Sequence, residues 1–303
     1  MDASRRHARG AARPRGARTG VTLMLTPILT VDALVHEAAT RAFDDLARAW
    51  FSRNVEREGV LAAVEQLGFA EALPSPDGRG AWPTAAAIIR AQARCAAPVD
   101  MALLLATGDR AGSIARPRGT YVCTRSAAAI DAPAAHAALS LGRCLQISAA
   151  MESALDLSLQ YVQDRKQFGQ PLAKFQAIQH SLALAAEEVA AFGALSHLAL
   201  ACAAREDIRE ARTSALLDAA AVVAGHGVDV IYEVCHQVHG AIGFTEEYPL
   251  HRHSIDLLHW RDHLQLLRGG ELRCAERLGD AALALGSVWR STTSVMTPQN
   301  PDA

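Results

Sequence analysis

The sequence predicts a mainly α protein, with a C-terminal four-helix bundle preceded by a smaller helical domain. Half of the 303 residues are apolar, only 5% are aromatic and alanine dominates, a bias that favours helix over sheet. From Ala134 onward apolar residues recur at helical spacing with few interruptions. The interruptions are short and rich in Gly and Pro, so the long helices they join become antiparallel neighbours.

Taken in order, residues 1–25 read as a disordered basic tail. Arg5, Arg6, Arg9, Arg13, Arg15 and Arg18 face one acid, Asp2, and no apolar face accompanies them. A basic arm or transit peptide is the alternative, and Met24 is a plausible start. Residues 26–106 read as an N-terminal helical domain. A helix is expected over 31–55, with Val31, Leu34, Val35, Ala38, Ala42, Leu46 and Trp50 as its apolar stripe. Another is expected over 59–67, stopped by Gly68, and a third opens at Trp82-Pro83-Thr84 and ends before Pro98. Met101 to Ala106 is a short apolar piece.

Residues 107–133 are irregular, and Thr120 to Thr124 alone resembles a strand. Residues 134–288 carry the bundle: helices towards Arg165, from Lys174, from Asp207 to His236, and a fourth after Pro249 that breaks at Gly269-Gly270. Residues 289–303 read as a polar, disordered tail.

The net charge of −2 gives no reason to expect nucleic acid or an anionic membrane as partner. No run of about 18 uninterrupted apolar residues occurs, so no membrane span is expected. The six cysteines lack the close spacing of a zinc or redox motif and read as buried thiols, which suits a reducing, cytoplasmic compartment.

Two segments carry chemistry. In Tyr161-Val-Gln-Asp-Arg-Lys-Gln-Phe-Gly-Gln-Pro171, Arg165 and Lys166 close one helix, and Lys174 and Gln176 open the next. A guanidinium beside a new helix N-terminus suits a phosphate or pyrophosphate, and Phe168 offers a flat apolar face. Plain cations at a helix C-terminus explain the same residues. In Gln237-Val-His-Gly-Ala-Ile-Gly-Phe-Thr-Glu-Glu-Tyr-Pro249, Gly240, Ala241 and Gly243 let backbone approach a ligand, with Gln237 and His239 as polar groups there. A helix C-cap and turn is the alternative.

Together the two segments resemble the C-terminal domain of acyl-CoA dehydrogenases, over about 134–285, with a weaker likeness around Leu67-Gly-Phe and Ala97-Pro-Val-Asp100. The resemblance implies an FAD flavoprotein that desaturates an acyl-CoA thioester between its α and β carbons. It implies that Arg165 pairs with an FAD pyrophosphate, typically of a neighbouring subunit, and that Gln167 and Phe168 lie against the cofactor. Gln237, with the backbone of His239, Gly240 and Ala241, would hold the adenosine end. Phe244 and Thr245 would line the turn near the flavin or the acyl-CoA.

The chain departs from the family twice. The family's middle β-domain is reduced to 107–133 at most. The catalytic base is unknown: Leu264 and Arg268 stand where a Glu is wanted, and Glu152, Glu246, Glu247 and Glu271 lie elsewhere. A homo- or hetero-oligomer with an acyl-CoA dehydrogenase-like partner is therefore implied, as in heteromeric members that act on bulky substrates such as steroid side chains. An electron-transfer flavoprotein or similar acceptor is implied as the electron sink. A non-catalytic, FAD-gripping or structural subunit is the alternative, and a helical bundle that has lost its cofactor is a third. His259 and His263 share a helical face, but Trp260 stands where a metalloprotease motif wants Glu, so no metal is expected.

Overall fold

The computed structural model describes residues 33–52, 54–110, 113 and 132–284. The basic tail, most of the irregular segment with Thr120 to Thr124 and Cys123, and the C-terminal tail lie outside them. Helices α1 (Ala33–Phe51), α2 (Arg57–Gln66), α3 (Trp82–Arg94) and α4 (Met101–Thr107) come first. The long helices α5 (Pro133–Asp164), α6 (Gln176–Ala203), α7 (Ala211–His239) and α8 (Leu250–Leu267) follow, then α9 (Glu271–Ala284).

Local chemistry sets several of these ends. Pro133 begins α5 and Pro83 sits in the first turn of α3, where a missing N–H leaves no carbonyl unpaired. Asp100 caps α4 by accepting from the Leu103 N–H at 3.1 Å. Gly68 and Gly108 end α2 and α4 in left-handed conformation.

In α1 the buried face is Ala39, Phe43, Leu46 and Ala47, while Leu34 and Ala38 are exposed. The expected stripe is thus turned by about one residue. Phe43, the largest apolar side chain buried on this helix, docks against Phe69 with ring centroids 5.3 Å apart and sets the helix's rotation.

α5 is the central element. Residues 137–151 are all buried, as expected of a helix with neighbours on every side. α3 and α4 pack on it from the N-terminal part, and α6, α7 and α8 from the bundle. The contact with α4 is close: a Cβ at Gly142 would come within 2.6 Å of the Ala102 Cβ. By length and composition alone α6 and α7 could cross a membrane; here they pack on each other and on α5.

A buried polar cluster joins α4 to the bundle. Arg143, on α5 and fully buried, donates two hydrogen bonds to the Asp100 carboxylate at 2.7 and 2.6 Å. Its Nε donates to His263 Nδ1 on α8 at 2.8 Å, and Gln146 links the same carboxylate to Gln92 on α3. Burial first, then the Arg143 charge, lowers the His263 pKa to about 3, so this imidazole is a neutral acceptor. A second connection lies between α3 and α5, where Arg90 and Arg94 both bond Glu152.

Candidate functional site

Arg165 leaves α5 in extended conformation, and a two-stranded hairpin follows. Lys166 pairs with Pro171 and Gln167 with Gln170. The tip residues Phe168 and Gly169 both have positive φ (52° and 79°), the pattern of a type I′ turn. Glycine suits such a position; phenylalanine there is strained, and its ring is 91% exposed. An aromatic held outward at a strain cost, meeting Phe175 edge-on at 6.2 Å, suits a flat partner. α6 then begins without a side-chain cap or an acid in its first turn. Arg165, Lys166 and Lys174 are exposed beside it and meet no carboxylate among the described residues. Cations beside an uncapped helix N-terminus suit a phosphate anion.

The second motif sits at the C-terminal end of α7. Gly240, with φ 65° and ψ −144°, ends that helix and opens a 3-10 turn, Gly240–Phe244. Gly243 is required by close approach, since a Cβ there would lie 3.0 Å from the His239 Cβ and 3.2 Å from His236 Nδ1. Gln237, Gly240, Ala241, Phe244 and Thr245 are exposed.

α5 and α7 run in the same direction, so the hairpin and the turn lie at one end of the bundle. Tyr161, in the last turn of α5, packs on His239 with tilted rings 4.4 Å apart and meets Tyr248 edge-on at 5.9 Å. The Tyr248 hydroxyl donates back to the Leu157 carbonyl at 3.5 Å. His239 is wedged between the two tyrosine rings and buried. Its Nδ1–H donates to the Cys235 carbonyl at 2.8 Å. The Ser254 hydroxyl donates to the Leu250 carbonyl, so His236 Nε2–H donates to the Ser254 oxygen at 2.7 Å. Burial lowers the pKa of both imidazoles, which act as neutral struts beneath the turn.

Tyr161, Tyr248 and His236 join the motifs, yet sequence reasoning gave them no role. Tyr161 stands four residues before Arg165 and so shares its helical face, a spacing that could have marked it. The His259 and His263 rings stack at 6.0 Å, and His263 Nδ1 already accepts from Arg143.

The acids fall elsewhere. Glu152 is engaged by Arg90 and Arg94, and although burial raises its pKa, the two guanidiniums bring it below the ordinary range. Leu264 is fully buried, and Arg268 lies at the opposite end of the bundle, bound to Asp218 at 2.8 Å. Glu271 opens α9 near Arg268, and Glu246 and Glu247 are exposed on the turn.

The described surface at the motif end therefore offers cations, an outward ring, uncapped amides and close-approach backbone. These fit the pyrophosphate and flat rings of a dinucleotide on one side. The hairpin and turn project outward, so the far side of such a ligand would need a second surface.

Comparison with known proteins adds the following. Residues 133–259 match the family model described as acyl-CoA dehydrogenase, C-terminal domain. Acyl-CoA dehydrogenase IpdE2 of Mycolicibacterium smegmatis is 32% identical over 159 residues, 49% of this chain and 46% of that protein. Acryloyl-CoA reductase (NADH) of Anaerotignum propionicum is 35% identical over 103 residues, 33% of this chain and 25% of that protein. The chain thus spans a quarter to about half the length of these curated relatives. Among solved structures, a chain of the Tcur3481-Tcur3483 steroid ACAD variant aligns with TM-score 0.60 and 18% identity, covering 82% of this chain and 96% of that one. That likeness shows a shared fold.

Proposed function

From the match of residues 133–259 to the acyl-CoA dehydrogenase C-terminal domain, we propose that this chain is a subunit of an FAD-dependent acyl-CoA dehydrogenase that shares its site with a partner subunit. The observation that carries the proposal is the packing of Tyr161, at the end of α5 from which the Arg165–Phe168 hairpin leaves, on His239 and Tyr248 of the second motif, which puts both motifs at one end of the bundle. Arg165 binds the pyrophosphate, and Gln167 and Phe168 lie against the cofactor. Gln237, with the backbone of His239, Gly240 and Ala241, holds the adenosine end, while Phe244 and Thr245 line the turn beside it. FAD, when bound, supplies the acceptor for the hydride that leaves the β-carbon of a fatty or steroid side-chain acyl-CoA. Electrons then pass to an electron-transfer flavoprotein or similar acceptor.

A partner is part of the proposal for two reasons. The most apolar stretch of α6 is 39% buried within this chain, which leaves apolar surface for another subunit. We assign the carboxylate that removes the α-proton to the partner, since Glu152 is held by Arg90 and Arg94 and Arg268 occupies the position where the resemblance wants a Glu. Free thiols at Cys95, Cys144, Cys202, Cys235 and Cys274 suit a cytoplasmic setting. Arg268 also favours a second possibility, a subunit that grips FAD and takes no part in proton removal.

Co-expression with an unlike acyl-CoA dehydrogenase subunit, followed by visible absorbance, tests this. Flavin retained with the partner and bleached by acyl-CoA supports the shared enzyme site. Flavin that no acyl-CoA bleaches supports the non-catalytic subunit, and a colourless complex refutes both.

A further inference from the structure

The Phe244 ring, 60% exposed on the 3-10 turn, is supported from beneath by α7. One of its faces stacks on the His236 imidazole, with centroids 4.1 Å apart and planes 28° from parallel. Tyr232, one turn earlier on α7, meets Phe244 edge-on at 6.5 Å and tilts against His236 at 4.5 Å. With one face covered by His236 and Tyr232 alongside, the other face of the Phe244 ring is the one left to solvent. Gly243 lets the turn sit this close, since a Cβ there would lie 3.2 Å from His236 Nδ1.

The imidazole is fixed by one directional bond. The Ser254 hydroxyl is committed to the Leu250 carbonyl, so His236 Nε2–H donates to the Ser254 oxygen and Nδ1 carries the lone pair. Nδ1 is buried and has no hydrogen-bond partner among the described residues. An orphaned buried nitrogen is destabilising, and a leucine of similar bulk would not carry that cost. Packing alone therefore does not account for histidine here. What the imidazole adds over leucine is a flat face whose angle is set by the bond to Ser254. Burial, then His239 and His251, keeps that face uncharged.

We propose that His236 is a positioning residue: bonded to Ser254, it holds the Phe244 ring at the angle at which its outer face stacks on a flat ring of the cofactor. The proposal rests on the FAD reading above and adds to it a residue that does not itself touch the ligand. A ring oriented before binding loses less freedom when the cofactor arrives.

Titration of FAD into the co-expressed complex after removal of its flavin, followed by flavin fluorescence, tests the proposal. Phe244→Ala should weaken FAD by about tenfold, the value of one lost aromatic stack. His236→Leu should weaken it by a similar factor, and Ser254→Ala, which removes one oxygen from mid-helix, by about threefold. On the Phe244→Ala background neither should weaken FAD further, whereas a general loosening of the turn would act in full on both backgrounds. Ser254→Ala completes the cycle even if His236→Leu does not fold. In the full chain alone, histidine nitrogen NMR should place the His236 proton on Nε2. Full FAD affinity in Phe244→Ala, undiminished effects of His236→Leu or Ser254→Ala on the Phe244→Ala background, or a proton on Nδ1 overturns the proposal. The flavin reading survives those outcomes if Arg165→Ala still weakens FAD, while a wild-type complex that takes up no FAD overturns both.

Discussion

Replacing Asp100 by Asn separates the charge of the buried cluster from its capping role. Asn caps a helix about as well as Asp, so the bond from the Leu103 N–H survives and the charge alone is removed. Arg143, fully buried, is then left without its carboxylate. Breaking a buried pair in this way costs about 3–5 kcal/mol, and the 19% exposure of Asp100 argues for the lower end, about 3 kcal/mol. Asp100→Ala, which also loses the cap, should cost about 1 kcal/mol more. Adding Arg143→Met to Asp100→Asn should recover part of the loss. Urea unfolding followed by circular dichroism measures all three. The same pair predicts acid sensitivity. Burial raises the Asp100 pKa, but the Arg143 charge and hydrogen bonds outweigh it and hold the folded carboxyl below its ordinary range. Its stabilisation is therefore full above the unfolded pKa and lost as pH falls below about 4. Asp100→Asn should lack that part of the acid loss. An Asp100→Asn midpoint equivalent to less than about 1 kcal/mol of destabilisation would refute the reasoning.

Gly142→Ala should lower the melting temperature despite the better helix propensity of Ala. Its Cβ would lie 2.6 Å from that of Ala102, and overpacking costs about 1–3 kcal/mol against a propensity gain of roughly 1. Phe168→Asn places Asn-Gly in the type I′ turn and should raise stability by about 1 kcal/mol while lowering flavin content of the complex; a less stable variant would contradict the strain assigned to Phe168. Glu152→Gln should lose about 1–2 kcal/mol through its half-buried pairs with Arg90 and Arg94 yet leave acyl-CoA bleaching by the complex unchanged; lost bleaching with intact flavin would make Glu152 the base.

The long helices were legible because apolar residues repeat at 3.6 spacing over several turns and Gly or Pro marks most of the breaks, at Gly169 and Pro171, Gly240 to Pro249 and Gly269-Gly270. The rotation of α1 was not, because Leu34 and Phe43 compete for the buried face and the position of Phe69, far along the chain, decides between them. The Asp100–Arg143 pair was equally hidden: its members are 43 residues apart, and only the packing of α4 on α5 joins them. At the candidate site, Arg165, Phe168 and the glycines stood out as local motifs. Tyr161, His236 and Tyr248 did not, since their importance lies in contacts between elements: Tyr161 and Tyr248 pack on His239, and His236 bonds Ser254 of α8.

The central claim is that one end of the bundle grips a flavin through Arg165. Flavin per complex, measured by absorbance after purification of the co-expressed wild type and the Arg165→Ala variant, tests it most directly. The account predicts that Arg165→Ala loses most of its flavin while the helical signal and subunit stoichiometry stay the same, because Arg165 is exposed. Unchanged flavin in a correctly assembled Arg165→Ala complex would contradict it.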